Sequence, residues 1–196
     1  MIERSGLRLA TIELALALLV FAAFPGISYL LLVAVTFTLL FFRDPPRRIQ
    51  DGVVSPADGR VDYVGERRIE IFMGPFDCHI NRSPVDGVVT KTRYIRGTFP
   101  PAYNRSGKAE RNEIYISTPD GEFKVVQVAG FFARRIVCYV GKGDFVRKGQ
   151  KIGIIKFGSR VILEVPDGYR FVKSVGEKVK AGETIAVKAC SAYCGK

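Results

Sequence analysis

Gly143-Asp144-Phe145-Val146-Arg147-Lys148-Gly149-Gln150-Lys151-Ile152-Gly153 is answered 33 residues later by Gly176-Glu177-Lys178-Val179-Lys180-Ala181-Gly182-Glu183-Thr184-Ile185-Ala186. Each copy follows the pattern G-[DE]-x-V-x-x-G, which reads as a turn, a short strand and a second turn. Glycine supplies the positive φ that such tight turns need. A second echo lies upstream: Ser55-Pro56-Ala57-Asp58-Gly59-Arg60-Val61 returns 28 residues on as Ser83-Pro84-Val85-Asp86-Gly87-Val88-Val89. Two copies of each unit predict a mainly β body, a flattened β-sandwich or barrel-sandwich-like fold with an internal pseudo-twofold repeat. Two copies are too few for a solenoid.

Around these echoes the chain consists of short β-branched runs punctuated by Gly, Pro and Asp. Strands are expected at 53–54, 60–64, 69–73, 88–94, 113–117, 123–128, 136–140, 152–155, 161–165 and 184–188. One or two helical turns are expected near 131–135, and residues 190–196 read as a disordered tail.

Upstream of Asp44-Pro45-Pro46 the texture is different. Residues 9–42 are a run of 34 with one charge, Glu13. As one straight helix they would rise about 50 Å, well beyond a hydrocarbon core of about 30 Å. Pro25-Gly26 breaks the run. The expectation is a hydrophobic helical hairpin, 9–24 and 27–42, that crosses a membrane twice or dips in and returns. Arg4 and Arg8 precede it and Arg43, Arg47 and Arg48 follow it, so both ends and the body belong on the cytoplasmic face of a cell membrane. A cleaved signal peptide fits poorly, because the run is too long and no small-residue cleavage site follows. The domain division is thus 1–43 and 44–196.

The chain has 196 residues and is 47% hydrophobic, which excludes a wholly disordered protein. Lys and Arg number 30 against 19 Asp and Glu, a net charge of +11. The charges of residues 1–42 cancel, so all of it falls on the body. A basic body tethered to a membrane is drawn to anionic headgroups. No nucleic-acid motif is present, and no nucleic-acid partner is expected. A single histidine, His79, excludes any site needing two imidazoles from this chain. The four cysteines make neither a disulfide scaffold nor a zinc site and read as reduced thiols; no metal is expected.

Three places can carry chemistry. His79 sits in Phe76-Asp77-Cys78-His79-Ile80-Asn81-Arg82. Asp58 lies in an Asp-Gly turn. Gly158-Ser159 breaks two apolar strands, and there a hydroxyl can reach the preceding carbonyl through a five-membered ring, the geometry of an N→O acyl shift and self-cleavage. A Ser-His-Asp hydrolase would use the same three residue types, but no G-x-S-x-G elbow is present.

Gly-Pro-Phe-Asp-Cys-His-Ile-Asn-Arg-Ser-Pro (74–84), Glu110-Arg111-Asn112, Ala133-Arg134-Arg135-Ile136-Val137-Cys138 and Phe157-Gly158-Ser159-Arg160-Val161 occur in that order. Together they resemble the short phosphatidylserine decarboxylases, whose relatives include the archaeal branch acting on archaetidylserine. The likeness runs from about Ser55 to Ile185. It implies a proenzyme that cuts itself between Gly158 and Ser159 into subunits 1–158 and 159–196, held together by shared β-sheet, with Ser159 becoming a covalent pyruvoyl group. It further implies a Schiff base between that group and the amine of an anionic serine phospholipid, which then loses CO₂ to give the ethanolamine lipid. His79 would be the acid/base, and Asp58 matches the family's serine-activating aspartate. Relatives suggest a homo-oligomer.

Two positions depart from the family. Longer members carry a second histidine where this chain has Arg82, so their Asp-His-Ser triad does not transfer intact, and Ile162 stands where relatives usually have Asp. The motifs surround headgroup chemistry and leave the lipid tails, ester- or ether-linked, unspecified. A non-enzymatic membrane scaffold of the same fold is one alternative. A biotinyl- or lipoyl-like carrier is another, although such carriers usually show a Met-Lys pair and no methionine here precedes a lysine.

Overall fold

The computed structural model describes residues 2–21, 23–97, 109–130, 135–156 and 159–189. The chain forms two compact units, Met1–Pro46 and Arg47–Lys196.

The first unit is a helical hairpin of α1 (Arg4–Val20) and α2 (Pro25–Phe41). The Glu3 carboxylate caps α1 by accepting from the Ser5 N–H at 2.8 Å, which starts the helix earlier than the apolar run does. Pro25 opens α2, where its missing N–H costs nothing. The Ser28 hydroxyl donates to the Ala17 carbonyl at 2.9 Å near the turn. At the open end the Glu3 N–H donates to the Phe42 carbonyl at 2.9 Å. Gly6 packs so closely on Phe42 that a Cβ would lie 2.2 Å from it. Each helix has 17 residues and rises about 26 Å. Among the described residues no helix is long and apolar enough to cross a membrane.

The second unit is β structure. It runs β1 (Val53–Val54), β2 (Gly59–Val64), β3 (Arg68–Met73), β4 (Ile80–Arg82), β5 (Gly87–Ile95), β6 (Arg111–Thr118) and β7 (Gly121–Ala129). There follow β8 (Arg135–Cys138), β9 (Phe145–Val146), β10 (Lys151–Lys156), β11 (Ser159–Glu164), β12 (Tyr169–Phe171), β13 (Lys178–Val179) and β14 (Thr184–Lys188). All described pairings are antiparallel. An eight-stranded sheet has the order β13-β2-β3-β11-β7-β6-β5-β9, and two three-stranded sheets have the orders β4-β10-β8 and β1-β14-β12. The barrel-like part of the expectation is corrected: no sheet of the described residues closes on itself. The large sheet ends on β13 and β9, two residues each, and such edges cannot carry the continuous staggered ladder that closure requires. Ile69, Ile71, Val125, Val161 and Leu163 of the large sheet share one core with Ile152, Ile155 and Ile185 of the small ones.

The two echoes bond to each other crosswise. The Ser55 N–H donates to Glu183 at 2.7 Å and the Gly182 N–H returns to Ser55 at 3.0 Å; Ser83 does the same with Gln150 and Gly149, both at 2.8 Å. Asp58 Oδ1 accepts from the Ala181 N–H at 2.9 Å, and Asp86 Oδ1 accepts from the Lys148 N–H at 2.8 Å. Gly149 and Gly182 have φ of 81° and 97°, the left-handed conformation that the pattern's last glycine anticipates.

β4 and β12 were not expected. Ile80-Asn81-Arg82 has one apolar residue in three, and its strand form comes from pairing with β10. The turns expected near 131–135 and the tail from Cys190 lie outside the described residues, apart from Arg135, which opens β8. Cys78 and Cys138 are free thiols.

Candidate active site

β11 begins at Ser159, and its backbone is held on both sides. Ser159 pairs in register with Met73 of β3 and with Ala129 of β7. The preceding strand, β10, belongs to a different sheet. The chain therefore leaves one sheet at Lys156 and enters another at Ser159. The Gly158–Ser159 bond falls in that passage by chain position; Gly158 itself lies outside the described residues.

The next residue pins the strand. Arg160 is 4% exposed; it bonds Asp62 Oδ2 of β2 at 2.6 Å and pairs with Glu70 of β3. Glu70 also takes Arg68 at 2.7 Å. A buried guanidinium needs such carboxylates; Glu70 lies on β3, directly beside β11, and Asp62 on β2, one strand further.

Asp58 and His79 reach the same end of the large sheet. Arg60 of β2 and Arg160 of β11 both pair with Phe72 of β3, so Asp58 and Ser159 lead into strands that start side by side with β3 between them. Two strand spacings put the backbones about 10 Å apart. β3 runs the other way and ends at Met73, Ser159's partner. A turn follows, closed by the Gly74 N–H donating to Asp77 Oδ2 at 2.8 Å, and it delivers Cys78 and His79 at this end.

His79 is fully buried, with Nδ1 2.8 Å from the Asp77 carbonyl. Its own carbonyl accepts the Ile155 N–H at 3.3 Å, which ties it to β10 just before the passage. Asp58 is 8% exposed. Its Oδ2 meets Arg47 at 2.5 Å while Oδ1 takes the Ala181 N–H at 2.9 Å. Burial pushes the Cys78 thiol up, and the charge of Asp58 adds to it against the opposing effect of Arg47. Asp58, Arg47 and Cys78 are thus one neighbourhood, and His79 follows Cys78 directly in the chain. Arg82 donates to the Gly149 carbonyl at 2.9 Å, in the turn ahead of β10. Ile162 is 7% exposed, in register with Glu70 and Val126.

Residue-level reasoning from the sequence missed Arg47, Arg160 and Gln127. Gln127 joins Asn112 and Asn81 in a buried line of side-chain amides. A signal existed for it: Gln127 is a lone amide inside Val125-Val126-Gln127-Val128, a run that is otherwise apolar. Arg47 gave none, because its partner is set by the fold.

The model of the phosphatidylserine decarboxylase family matches residues 35–187. The chain belongs to the phosphatidylserine decarboxylase family. It is 57% identical over 188 residues, 96% of each chain, to a protein of Archaeoglobus fulgidus named as an archaetidylserine decarboxylase proenzyme. It is 43% identical over 178 residues to the phosphatidylserine decarboxylase proenzyme of Beijerinckia indica, covering 81% of this chain and 77% of that one. The corresponding proenzyme of Streptomyces coelicolor is 45% identical over 153 residues, 74% and 70% of the two chains. The stretch matched to the phosphatidylserine decarboxylase family contains Asp58, His79, Gly158 and Ser159.

Proposed function

We propose that this chain is a self-cleaving, pyruvoyl-dependent carboxy-lyase that converts a serine phospholipid, phosphatidylserine or archaetidylserine, into the ethanolamine lipid and CO₂. The observation that carries the reading is the placement of Ser159 as the first residue of a strand clamped between β3 and β7, directly after a glycine in the passage between two sheets.

In the first step the Ser159 hydroxyl attacks the Gly158 carbonyl and the acyl group moves from nitrogen to oxygen. Elimination of the ester frees residue 158 as a carboxylate, and hydrolysis of the remaining enamine releases ammonia and leaves a ketone at 159. The surroundings suit such a terminus: Met73 and Ala129 hold its backbone, and Arg160 anchors the next residue in a buried ion pair. When formed, a pyruvoyl group supplies an electron sink for loss of the carboxylate. His79, buried at this end of the sheet, is the residue to hold and return a proton. Asp58, held by Arg47, sets the local charge beside Cys78.

Several further assignments belong to the same reading. The body is a twofold repeat, supported by the matched crosswise bonds of Ser55 and Ser83. The unit 1–43 is a membrane-associated hairpin, supported by Leu18, Leu19 and Leu30, each at least 70% exposed. The body, 44–196, works at the cytoplasmic face of the cell membrane on an anionic lipid, as two subunits from one proenzyme and as a homo-oligomer.

The test is to supply vesicles of each serine phospholipid and measure CO₂ and the amine product. Release of both supports the reading; a cleaved, folded chain that turns over neither lipid contradicts it.

A further inference from the structure

We propose that Asn112, Gln127 and Asn81 form an amide chain that holds the strands on either side of the Gly158–Ser159 bond in the relation self-cleavage requires; this rests on the functional reading above. Asn112 Nδ2 donates to Gln127 Oε1 at 2.9 Å, Gln127 Nε2 donates to Asn81 Oδ1 at 2.7 Å, and Asn81 Nδ2 reaches Met73 Sδ at 3.8 Å. Asn81 and Gln127 are fully buried and Asn112 is 2% exposed.

The places joined are specific. Gln127 stands on β7, the strand partner of β11, and Asn81 stands on β4, the strand partner of β10. The chain thus ties together the neighbours of the two strands that cleavage disconnects. It ends on Met73, the residue paired with Ser159.

The fold does not need amides there. Asn81 pairs with Gly153, and the same place in the other repeat is Val53 paired with Ala186, both apolar and buried. One half of the body therefore fills this position with hydrocarbon. The half that carries the passage fills it with three primary amides, a choice that packing alone does not favour, since buried polar groups must all be satisfied. Gly153 makes room for the crossing: a Cβ there would lie 2.6 Å from the Val137 carbonyl of β8 and 2.7 Å from Gln127 Nε2, so the Ala found in the twin would press on both the neighbouring strand and the amide. These are positioning residues, acting through the strands and not on the reacting atoms.

The test compares Gln127→Met with the triple variant Asn81→Leu/Gln127→Met/Asn112→Leu, reading Tm and the rate at which the full chain cleaves itself. The single variant strands two buried amides and lowers Tm, whereas removing all of them together restores Tm toward wild type. The expected result is that the triple variant, at near-native Tm, cleaves on the order of 10- to 100-fold more slowly, the scale of a small misplacement of reacting groups. A triple variant that recovers both Tm and the wild-type cleavage rate overturns the proposal and reduces the amides to packing. If the triple variant does not fold, Gln127→Met assayed well below its own Tm decides: slowed cleavage supports positioning, wild-type cleavage overturns it. A wild type that never cleaves overturns the functional reading, and this proposal with it.

Discussion

The Ile155 N–H donates to the carbonyl of His79 at 3.3 Å, so the chain's one imidazole is tied to the strand that ends just before Gly158–Ser159. This bond joins a loop leaving β3 to the strand feeding β11, and it brings the candidate proton carrier to the candidate cleavage site through backbone alone.

His79→Ala keeps that backbone bond and removes the imidazole. Cleavage into two fragments is expected to persist, while decarboxylation falls at least ~100-fold, the usual scale for a lost general acid/base. Mass spectrometry and CO₂ release read the two steps separately. A variant that stays as one chain would make His79 the base for self-cleavage instead.

Asp58 and Asp86 occupy matching turns and accept matching N–H bonds, but Asp58 is buried with Arg47 and Asp86 is exposed. Asp86→Asn is expected to cost about 1 kcal/mol or less, one ordinary hydrogen bond, with activity unchanged. Arg47→Met leaves a carboxylate without its cation at a site where both side chains are about nine-tenths buried, and is expected to cost about 3–5 kcal/mol in denaturant unfolding. Equal costs at the two positions would deny Asp58 any special environment.

The β body was legible because its signal is local. Turn glycines and alternating β-branched runs recur at fixed spacing, and the strands around residues 60–73 and 113–128 follow directly from them. β4 was not legible, since Ile80-Asn81-Arg82 becomes a strand only by pairing with β10. The site divided the same way. Gly158-Ser159 announces itself as a break between apolar runs, whereas the Asn81–Gln127 bond depends on two strands 46 residues apart in sequence, and the Arg47–Asp58 pair on how the loops ahead of β1 and β2 fold together.

Burial raises the Cys78 thiol's pKa, so the folded state holds its proton more tightly than the unfolded chain does. The stability this adds is fully present below the ordinary thiol pKa and is lost as pH rises through and beyond it. The Tm difference between wild type and Cys78→Ala is therefore expected to shrink at alkaline pH. Iodoacetamide at pH 8, followed by peptide mapping, should label Cys138 ahead of Cys78. Faster labelling of Cys78 would contradict a buried, protonated thiol.

Asp58, His79 and Ser159 all lie in the unit Arg47–Lys196, so deleting residues 1–43 is expected to leave a body that folds and cleaves itself. Its turnover of lipid in bilayers should fall more than its turnover of a short-chain, water-soluble analogue. Equal losses on both would assign the hairpin to folding and not to substrate access.

The central claim is tested most directly by the intact mass of the purified wild type beside Ser159→Ala. The wild type is expected as fragments of 158 and 38 residues, the smaller blocked to Edman sequencing because a pyruvoyl end has no amine, and Ser159→Ala as a single chain of 196. A wild type found as one uncleaved chain, or a small fragment that sequences normally from Ser159, would contradict it.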